Sequence, residues 1–212
     1  MSKHTGAGPP LGRPLEHAHR LRGDLLERLP IALAHVPALA IAGRDESVWR
    51  FLPYGNVTNE AAMTQWVSRL LDQQAQGTDI PFAVILQATG QAIGATRYMD
   101  IQAVHRGLEI GGTWYAPEHQ RTAANTEAKL LLLRHAFEVM GCIRVQLKTD
   151  LRNERSQRAI ERLGAVREGV LRDHILMPDG HRRSSVFYSI LDHEWPCVKA
   201  RLEEKLRTYV GA

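Results

Sequence analysis

The segment from residue 108 to residue 150 constrains the fold most, because it predicts a strand, a long helix and a second strand in that order. The stretch LEIGGTWYA (108–116) predicts the first strand, and the apolar spacing over 122–140 predicts the helix. The stretch CIRVQLKTD (142–150) alternates apolar and polar residues, which indicates a strand with one buried face. Two strands joined by a helical crossover lie parallel in one sheet. Any fold for this chain therefore contains at least one parallel pair.

The rest of the chain predicts short strands joined by turns, with helices between them. Two strand-like pieces within 15–29 flank a turn at Gly23-Asp24, and the three residues PDG form a hairpin turn near the C-terminus. The other predicted elements are helices over 31–43, 58–76, 153–163 and 193–208, and strands over 81–87, 92–101, 165–176 and 182–191. Hairpins combined with one parallel unit predict an α+β (mixed α/β) fold.

Composition predicts one ordinary globular domain. The chain has 212 residues, 44% hydrophobic and 24% charged, which is enough to bury a core. We expect a single domain over 15–212 and a flexible arm over 1–14, where glycine, proline and small residues dominate. The longest apolar stretch, 29–42, is too short to span a membrane, and the N-terminus lacks the apolar region of a signal peptide.

Charge and cysteine content exclude several specialised classes. The net charge of +4 and the pI of about 9.3 suit an anionic ligand as well as a nucleic acid. No basic-aromatic interleaving accompanies that charge, so we expect neither a nucleic-acid nor a membrane partner. Cys142 and Cys197 are isolated, which predicts neither a disulfide framework nor a zinc site. We therefore expect a cytoplasmic protein without a bound metal.

Two local patterns indicate ligand binding. Adjacent Gly111 and Gly112 interrupt a predicted strand, which favours a bulge or the close approach of a ligand to the backbone. The segment RNERSQRAIERLGA places Asn153 and Ser156 at the mouth of a short helix. Asn153 is a good helix N-cap, and that role explains Asn153 well but Ser156 poorly.

Four stretches together resemble a known superfamily. They are YAPEHQRTAANTEAKLLLLRHAF (115–137), the pattern N-x-x-S-x-x-A-I-x-x-L-G-A that begins at Asn153, the Glu-Gly pair at 168–169, and the closing ILDHEW. Over roughly residues 15–195 the chain resembles the GNAT acyl-CoA-dependent N-acetyltransferases, and within them the RimJ/RimL-like branch that acetylates protein N-termini. The resemblance implies the GNAT fold: a twisted, mostly antiparallel sheet of about seven strands with a splayed central parallel pair, about four helices and a C-terminal helix.

The resemblance also implies a binding site for acetyl-CoA. The diphosphate would lie at the N-terminus of the helix predicted over 122–140, where free amides and the helix dipole bind anions. The family pattern Q/R-x-x-G-x-G/A falls on 120–125, where Ala123 and Asn125 replace smaller residues. The alternative is a capped helix start without a ligand. The expected cofactor-binding residues are Thr113, Trp114, Gln120, Arg121, Thr122, Ala123, Ala124, Asn125, Thr126, Asn153, Arg155, Ser156 and Arg158.

The implied reaction is direct attack of an amine on the acetyl thioester. Ser156 is the expected general acid, with Tyr115 and Tyr98 as alternative donors, and backbone N–H groups near residues 113–115 would polarise the carbonyl. An α-amine with a pKa near 8 needs little help to lose its proton, whereas a lysine amine with a pKa near 10 needs a base. Glu109 is the first candidate for that base, although a salt-bridged strand carboxylate is its alternative role. Weaker candidates are Glu168, His105 and His174.

The acceptor would enter from the other side of the splayed strands. The loop VWRFLPYG (48–55) supplies aromatic residues there, and the candidate acceptor-binding residues are Trp49, Phe51, Tyr54 and Tyr98. A hydrophobic lid on the core is an equally good interpretation of this loop. The acceptor is a protein N-terminus or a small-molecule amine, and a homodimer through an edge strand is one option. A non-catalytic or sensory acyl-CoA-binding protein is the alternative function, favoured by Ala123 and Asn125.

Overall fold

The computed structural model describes residues 20–210, and one eight-stranded sheet runs through it. The predicted arm over 1–14 lies outside the described residues. The strands are β1 Leu21–Arg22, β2 Leu26–Pro30, β3 Ile80–Leu86, β4 Gln91–Gln102, β5 Gly107–Tyr115, β6 Arg144–Asp150, β7 Val166–Leu176 and β8 Arg182–Leu191. Their order across the sheet is β1-β2-β3-β4-β5-β6-β8-β7.

One pair in this sheet is parallel, β5 with β6, and every other neighbouring pair is antiparallel. The mixed α/β fold with a mostly antiparallel sheet and a central parallel pair is therefore confirmed. The sheet has one strand more than the seven that the resemblance implied, because the two-residue β1 forms a short pair with β2.

Five helices cover the two faces of the sheet, in agreement with the predicted four plus a C-terminal helix. They are α1 Val36–Ala42, α2 Glu60–Ala75, α3 Ala123–Arg134, α4 Glu154–Leu163 and α5 Trp195–Val210. Apolar residues of α1 and α2 pack on one face of the central strands. Apolar residues of α3, α4 and α5 pack on the opposite face. Between these two helical layers, the parallel strands β5 and β6 separate.

The helix predicted over 122–140 is shorter than predicted. The α-helical part, α3, ends at Arg134, and a π-helical turn over His135–Val139 follows it. The cause is a wider hydrogen-bonding pattern, in which the N–H of Met140 donates to the main-chain oxygen of His135 at 2.9 Å. This turn ends the crossover and leads the chain into β6.

Candidate active site

The parallel strands β5 and β6 pair over three residues and then separate. The paired residues are Gly107 with Arg144, Leu108 with Val145, and Glu109 with Gln146. β5 continues to Tyr115 and β6 continues to Asp150 without further pairing between them. A cavity of about 600 Å³ occupies this gap, and it reaches both faces of the sheet, because Lys129 and Tyr54 both line it.

A bulge in β5 accompanies the gap, as the sequence predicted. Trp114 pairs with Ala95, but Gly111 pairs with Arg97, so β5 contains one residue more than β4 between these two pairs. Gly112 lies in the extra segment with a φ of +57°, a conformation that favours glycine. A Cβ atom on Gly111 would lie 2.8 Å from Oε1 of Glu109. The glycine pair therefore gives β5 its irregular path and leaves room for the Glu109 carboxylate.

The N-terminus of α3 lies at one end of the cavity. Thr122 caps this helix, because its Oγ1 accepts a hydrogen bond from the N–H of Ala124 at 3.2 Å. The other N–H groups of the first turn have no partner within the helix. The lining residues here are Gln120, Arg121, Thr122, Asn125 and Thr126. Ala124 packs away from the cavity in an apolar cluster, and Ala123 does not line it, so two of the predicted cofactor residues would contribute through their backbone alone.

The N-terminus of α4 forms the facing wall. Asn153 caps this helix through its Oδ1, which accepts from the N–H of Ser156 at 3.1 Å. Asn153, Arg155 and Ser156 all line the cavity. The prediction that Arg158 binds the cofactor is not supported, because its side chain is exposed outside the lining and pairs with Glu154 at 3.1 Å. One turn of helix separates Arg155 from Arg158, and only the earlier residue lies at the helix mouth.

Glu109 lies where β5 and β6 begin to separate. It is 1% exposed, and its Oε2 accepts hydrogen bonds from Nζ of Lys148 at 2.8 Å and from Nε2 of Gln146 at 2.9 Å. The other candidate carboxylate, Glu168, does not line the cavity and instead binds Arg144 and Ser189. The geometry therefore favours Glu109 over Glu168 as a base.

Two of the candidate proton donors differ in their surroundings. Ser156 lies at the open mouth of α4 and is half-buried. Tyr115 also lines the cavity, but its hydroxyl is fully buried on the α3 face of the sheet, where the ring packs with apolar side chains. Burial raises the pKa of Tyr115 well above its usual range, although the nearby Arg28 charge opposes the shift. Ser156 is therefore the better placed donor.

Two of the four predicted acceptor-binding residues line the cavity, and two do not. Phe51 and Tyr54 belong to the lining on the side of α1 and α2. Trp49 is 2% exposed and packs against other tryptophans, and its Nε1 donates to the main-chain oxygen of Gly43 at 2.7 Å. Tyr98 is fully buried on the α3 face, where its hydroxyl donates to the oxygen of Leu132 at 2.7 Å. The acceptor-binding prediction is therefore wrong for Trp49 and Tyr98, which are core residues.

Sequence reasoning missed several charged residues of the cavity, above all Lys129. It lies inside α3, and its Nζ donates to Oγ1 of Thr113 on the β5 bulge at 2.8 Å. Burial lowers the pKa of Lys129 to about 7. The available signal was its helical spacing, since Lys129 lies one turn before Leu133 on the buried face of the helix.

The cavity is strongly cationic. Glu109 is the one carboxylate that lines it among the described residues. The cationic lining residues are Arg97, Arg121, Lys129, Lys148, Arg155, Arg162, Arg183 and Lys205. Among residues 20–210, no cluster of three His, Cys, Asp or Glu residues could hold a metal ion, and no helix is both long and apolar enough to cross a membrane.

Comparisons with known proteins agree with this geometry. The Bacillus subtilis (strain 168) protein named "Putative ribosomal N-acetyltransferase YdaF" is 33% identical over 106 residues, which span 50% of this chain and 57% of YdaF. The crystal structure of a GCN5-related N-acetyltransferase from Brucella melitensis is 27% identical, with 94% of this chain and 89% of that chain covered and a TM-score of 0.87. RimJ from Mycobacterium smegmatis, solved in complex with CoA-disulfide, shares the fold at 19% identity, with a TM-score of 0.75 over 88% of this chain and 93% of that one.

The family model for the "Acetyltransferase (GNAT) domain" matches residues 26–166. That match covers more than half of the chain, including β2 to β6, both glycines of the bulge and the whole of α4. The parallel pair that separates beside Asn153 is the feature that the resemblance implied. The protein therefore belongs to the GNAT acetyltransferase family.

Proposed function

We propose that the protein is an acetyl-CoA-dependent N-acetyltransferase that moves the acetyl group to a primary amine by direct attack. The observation that carries the proposal is the gap between β5 and β6. It begins at Glu109 and is bounded by the N-termini of α3 and α4. The gap opens to both faces of the sheet, so the two substrates would approach each other from opposite sides.

The residues around the gap fit a long anionic cofactor. Amides at the start of α3 and the adjacent Arg121 would bind a diphosphate, and Arg155, Arg162 and Lys205 lie around the same cavity. The β5 backbone beyond Glu109 has no strand partner on its β6 side. Its polar groups are therefore free to hydrogen-bond the amide-containing arm of the cofactor. When bound, acetyl-CoA supplies the acetyl thioester. Asn125 lines this part of the cavity, but Ala123 does not, so one of the two unusual residues adds no bulk there.

Glu109 is the proposed general base. Its Oε2 is held by Lys148 and Gln146, while Oε1 lies beside Gly111. The two donors fix the carboxylate at the point where β5 and β6 separate. An amine that enters past Phe51 and Tyr54 would meet the carboxylate there. A carboxylate in this position can take the proton that the acceptor's ammonium group must lose before its nitrogen attacks the thioester.

Ser156 is the proposed general acid, and the β5 bulge is the proposed site of carbonyl polarisation. The Ser156 hydroxyl lies in the first turn of α4, within the same lining as Thr113. A thiol with a pKa near 8.5 is a fair leaving group, so one hydrogen bond is enough to assist it. Backbone N–H groups over 113–115 would stabilise the charge that develops on the carbonyl oxygen.

The acceptor is a primary amine, on a protein N-terminus or on a small molecule. The relative YdaF bears the name of a ribosomal N-acetyltransferase, which supports the first of these. An acyl-CoA-binding protein without catalysis is the second candidate, and Asn125 in the first turn of α3 is the observation that favours it. Both candidates predict cofactor binding, and only the first predicts turnover.

Two measurements test the proposal. Acetyl-CoA should raise the melting temperature of the protein, because a ligand that binds only the folded state stabilises it. Thiol release from acetyl-CoA should then depend on an added amine, in a panel of short peptides, polyamines and amino acids. No melting shift at millimolar acetyl-CoA would refute both candidates, and a shift without turnover on any amine would leave the non-catalytic one.

Variants of the two carboxylates test the assignment of the base. Glu109→Gln should lower kcat/KM for a peptide α-amine about tenfold at pH 7, because only about one-tenth of that amine is neutral without a base. The loss should shrink above pH 8, where the amine is already largely neutral. Glu168→Gln is the matched control outside the cavity and should keep normal kcat/KM. Equal effects of the two variants would exclude Glu109 as the base, and an unchanged rate in Ser156→Ala would exclude Ser156 as the acid.

A further inference from the structure

Arg183 on β8 is a buried charge in the acceptor half of the cavity. It is 4% exposed and lines the cavity together with Phe51 and Tyr54. A buried guanidinium is costly unless it is paired and hydrogen-bonded. Neither the fold nor the proposed proton transfers explain why an arginine lies here.

The contacts of Arg183 use part of its donor capacity. Its Nε donates to Oγ of Ser185 at 3.1 Å, and its Nη1 donates to the main-chain oxygen of Phe51 at 3.1 Å. A guanidinium has five N–H groups in a planar fork. Nη2 of Arg183 has no hydrogen-bond partner among residues 20–210. The unused donors therefore belong to a side chain that is fixed in place and borders the cavity.

The carboxylates beside Arg183 and Tyr54 are each committed to another cation. The ion pairs are Asp79 with Arg97 at 3.2 Å, Glu109 with Lys148 at 2.8 Å, and Asp150 with Arg152 at 2.7 Å. Within the part of the chain that the structure describes, no ion pair includes Arg183. Burial lowers the pKa of Arg183, and the longer-range carboxylate charges of Asp150 and Glu109 oppose that shift. This half of the cavity therefore carries one uncompensated positive charge.

We propose that Arg183 binds a carboxylate of the acceptor, and that the acceptor is therefore a primary amine that also carries a carboxylate. The inference rests on the proposed acetyl transfer and names the class of its second substrate. A carboxylate would pair with the unused N–H groups in the geometry that arginine prefers. A polyamine would instead bring further positive charge next to Arg183, so polyamines are poor acceptors.

The strand register favours a peptide over a free amino acid. Lys148, which holds Glu109, lies opposite Phe187 in the β6–β8 pair. Arg183 lies four residues from Phe187 along β8, which corresponds to about 13 Å of strand. This is a backbone spacing, and the charges of Arg183 and Glu109 are close enough to interact. A dipeptide, which is about 7 Å long at full extension, fits this arrangement better than an α-amino acid, which carries both groups on one carbon.

The test compares acceptors that differ only in charge. Initial rates at saturating acetyl-CoA are measured for Ala-Ala and Ala-Ala-amide, and for Ala-Glu-amide and Ala-Gln-amide, with spermidine as the polycationic acceptor. We expect kcat/KM to be about ten- to a hundredfold higher for the acid in at least one matched pair, since a charge-assisted hydrogen bond is worth that much. No preference for the acid in either pair, or a higher kcat/KM for spermidine, would overturn the proposal.

Two arginine variants on the same strand separate recognition from folding. Arg183→Gln should bring the ratio of acid to amide close to one while leaving KM for acetyl-CoA unchanged. Arg182→Gln is the matched control, because Arg182 is exposed, pairs with Asp173 and lies outside the cavity lining. Arg182→Gln should keep the full preference for the acid over the amide. A preference that survives in Arg183→Gln would refute the assignment, and the wild-type panel decides the matter if that variant fails to fold.

Binding measurements separate this inference from the proposed function. The same four peptides are titrated calorimetrically into the wild-type protein saturated with CoA. Tighter binding of an acid than of its amide supports the carboxylate site even if no acceptor turns over, in which case only the proposed catalysis fails. Equal binding of acid and amide, together with turnover of both, would overturn the carboxylate site and leave acetyl transfer intact.

Discussion

The buried amine of Lys129 should make the stability of the protein depend on pH between neutral and alkaline conditions. Lys129 is 6% exposed, and its Nζ binds a threonine hydroxyl rather than a carboxylate. Burial, reinforced by the nearby Arg28 charge, lowers its pKa from the ordinary 10.5 to about 7, although Glu109 opposes this shift. Arg28 is itself fully buried beneath α3. The ammonium is therefore destabilised in the folded state relative to the unfolded chain.

The sign and size of the effect follow from proton linkage. Below about pH 7 both states hold the proton of Lys129, so its contribution to stability does not change with pH. Between about pH 7 and pH 10.5 the unfolded chain keeps a proton that the folded protein has lost. The free energy of unfolding therefore rises by RT ln 10 for each pH unit in that window. From pH 6 to pH 9 this amounts to about 3 kcal/mol, or roughly 6–12 °C in melting temperature for a domain of this size.

The variant Lys129→Met isolates this contribution, because methionine keeps an unbranched apolar side chain without the amine. Urea unfolding of both proteins is measured at pH 6, 7, 8 and 9. Relative to wild type, the variant should be most stable at pH 6 and should lose about 3 kcal/mol of that advantage by pH 9. Histidines titrate in both proteins and cancel in the difference. Lys199→Met, at a partly exposed ion pair with Glu138, should show no such trend. Parallel stability curves for wild type and Lys129→Met would refute the argument.

Three other substitutions test the packing around the site. Gly94→Ala should destabilise the protein by about 3 kcal/mol or more in urea unfolding, because its Cβ would lie 2.9 Å from the Tyr115 Cα in the adjoining backbone. Glu127→Gln should cost about 2 kcal/mol in the same assay, since the buried carboxylate accepts hydrogen bonds from the backbone of the β1–β2 turn. Tyr98→Phe should lower stability by about 1 kcal/mol and leave the acceptor KM unchanged, because its hydroxyl binds the main chain of α3.

The elements that the sequence predicted well are those with a strong local period. β6 alternates apolar and polar residues, and the structure places it at Arg144–Asp150 with its apolar side chains in the core. Its position as the parallel neighbour of β5 also followed from the sequence, because a helical crossover leaves little choice. The end of α3 did not follow. The π-helical turn over His135–Val139 continues the helical spacing of apolar residues, so periodicity alone could not distinguish it from an α-helix.

Backbone features of the site were predictable because they depend on particular residue types. Gly111 and Gly112 predicted a bulge, and Asn153 predicted a cap, and both features are present. The charged network was not predictable in the same way. Arg97 belongs to β4, yet its partner Asp79 precedes β3, and nothing local in the sequence indicates that these two side chains form an ion pair. Such pairs are decided by strand register and by which face of the sheet each residue occupies.

In the aromatic loop over 48–55, the sequence likewise does not predict which way each side chain faces. Trp49 and Phe51 are two positions apart, and both are large and aromatic. Trp49 turns into a cluster of tryptophans beneath the loop, whereas Phe51 borders the cavity. The loop has no regular period that could assign its side chains to one side or the other. The burial of Trp49 agrees with the lid interpretation, and the pocket interpretation stays a prediction for Phe51.

The cap at Asn153 explains why its residue type suits both structure and chemistry. Aspartate and serine cap helices as well as asparagine does, since the cap needs only an acceptor. In Asn153 that acceptor is Oδ1, which is occupied by the N–H of Ser156. An asparagine side chain has two further donor hydrogens on Nδ2, which an aspartate lacks. Asn153 lines the gap between the separated strands, so it can hold α4 with one atom and donate to a ligand with another. The cap also orients Ser156. The backbone N–H of Ser156 binds Asn153, and this holds the Ser156 hydroxyl at the start of α4. The helix start and the proposed cofactor contact are therefore not competing interpretations of these two residues.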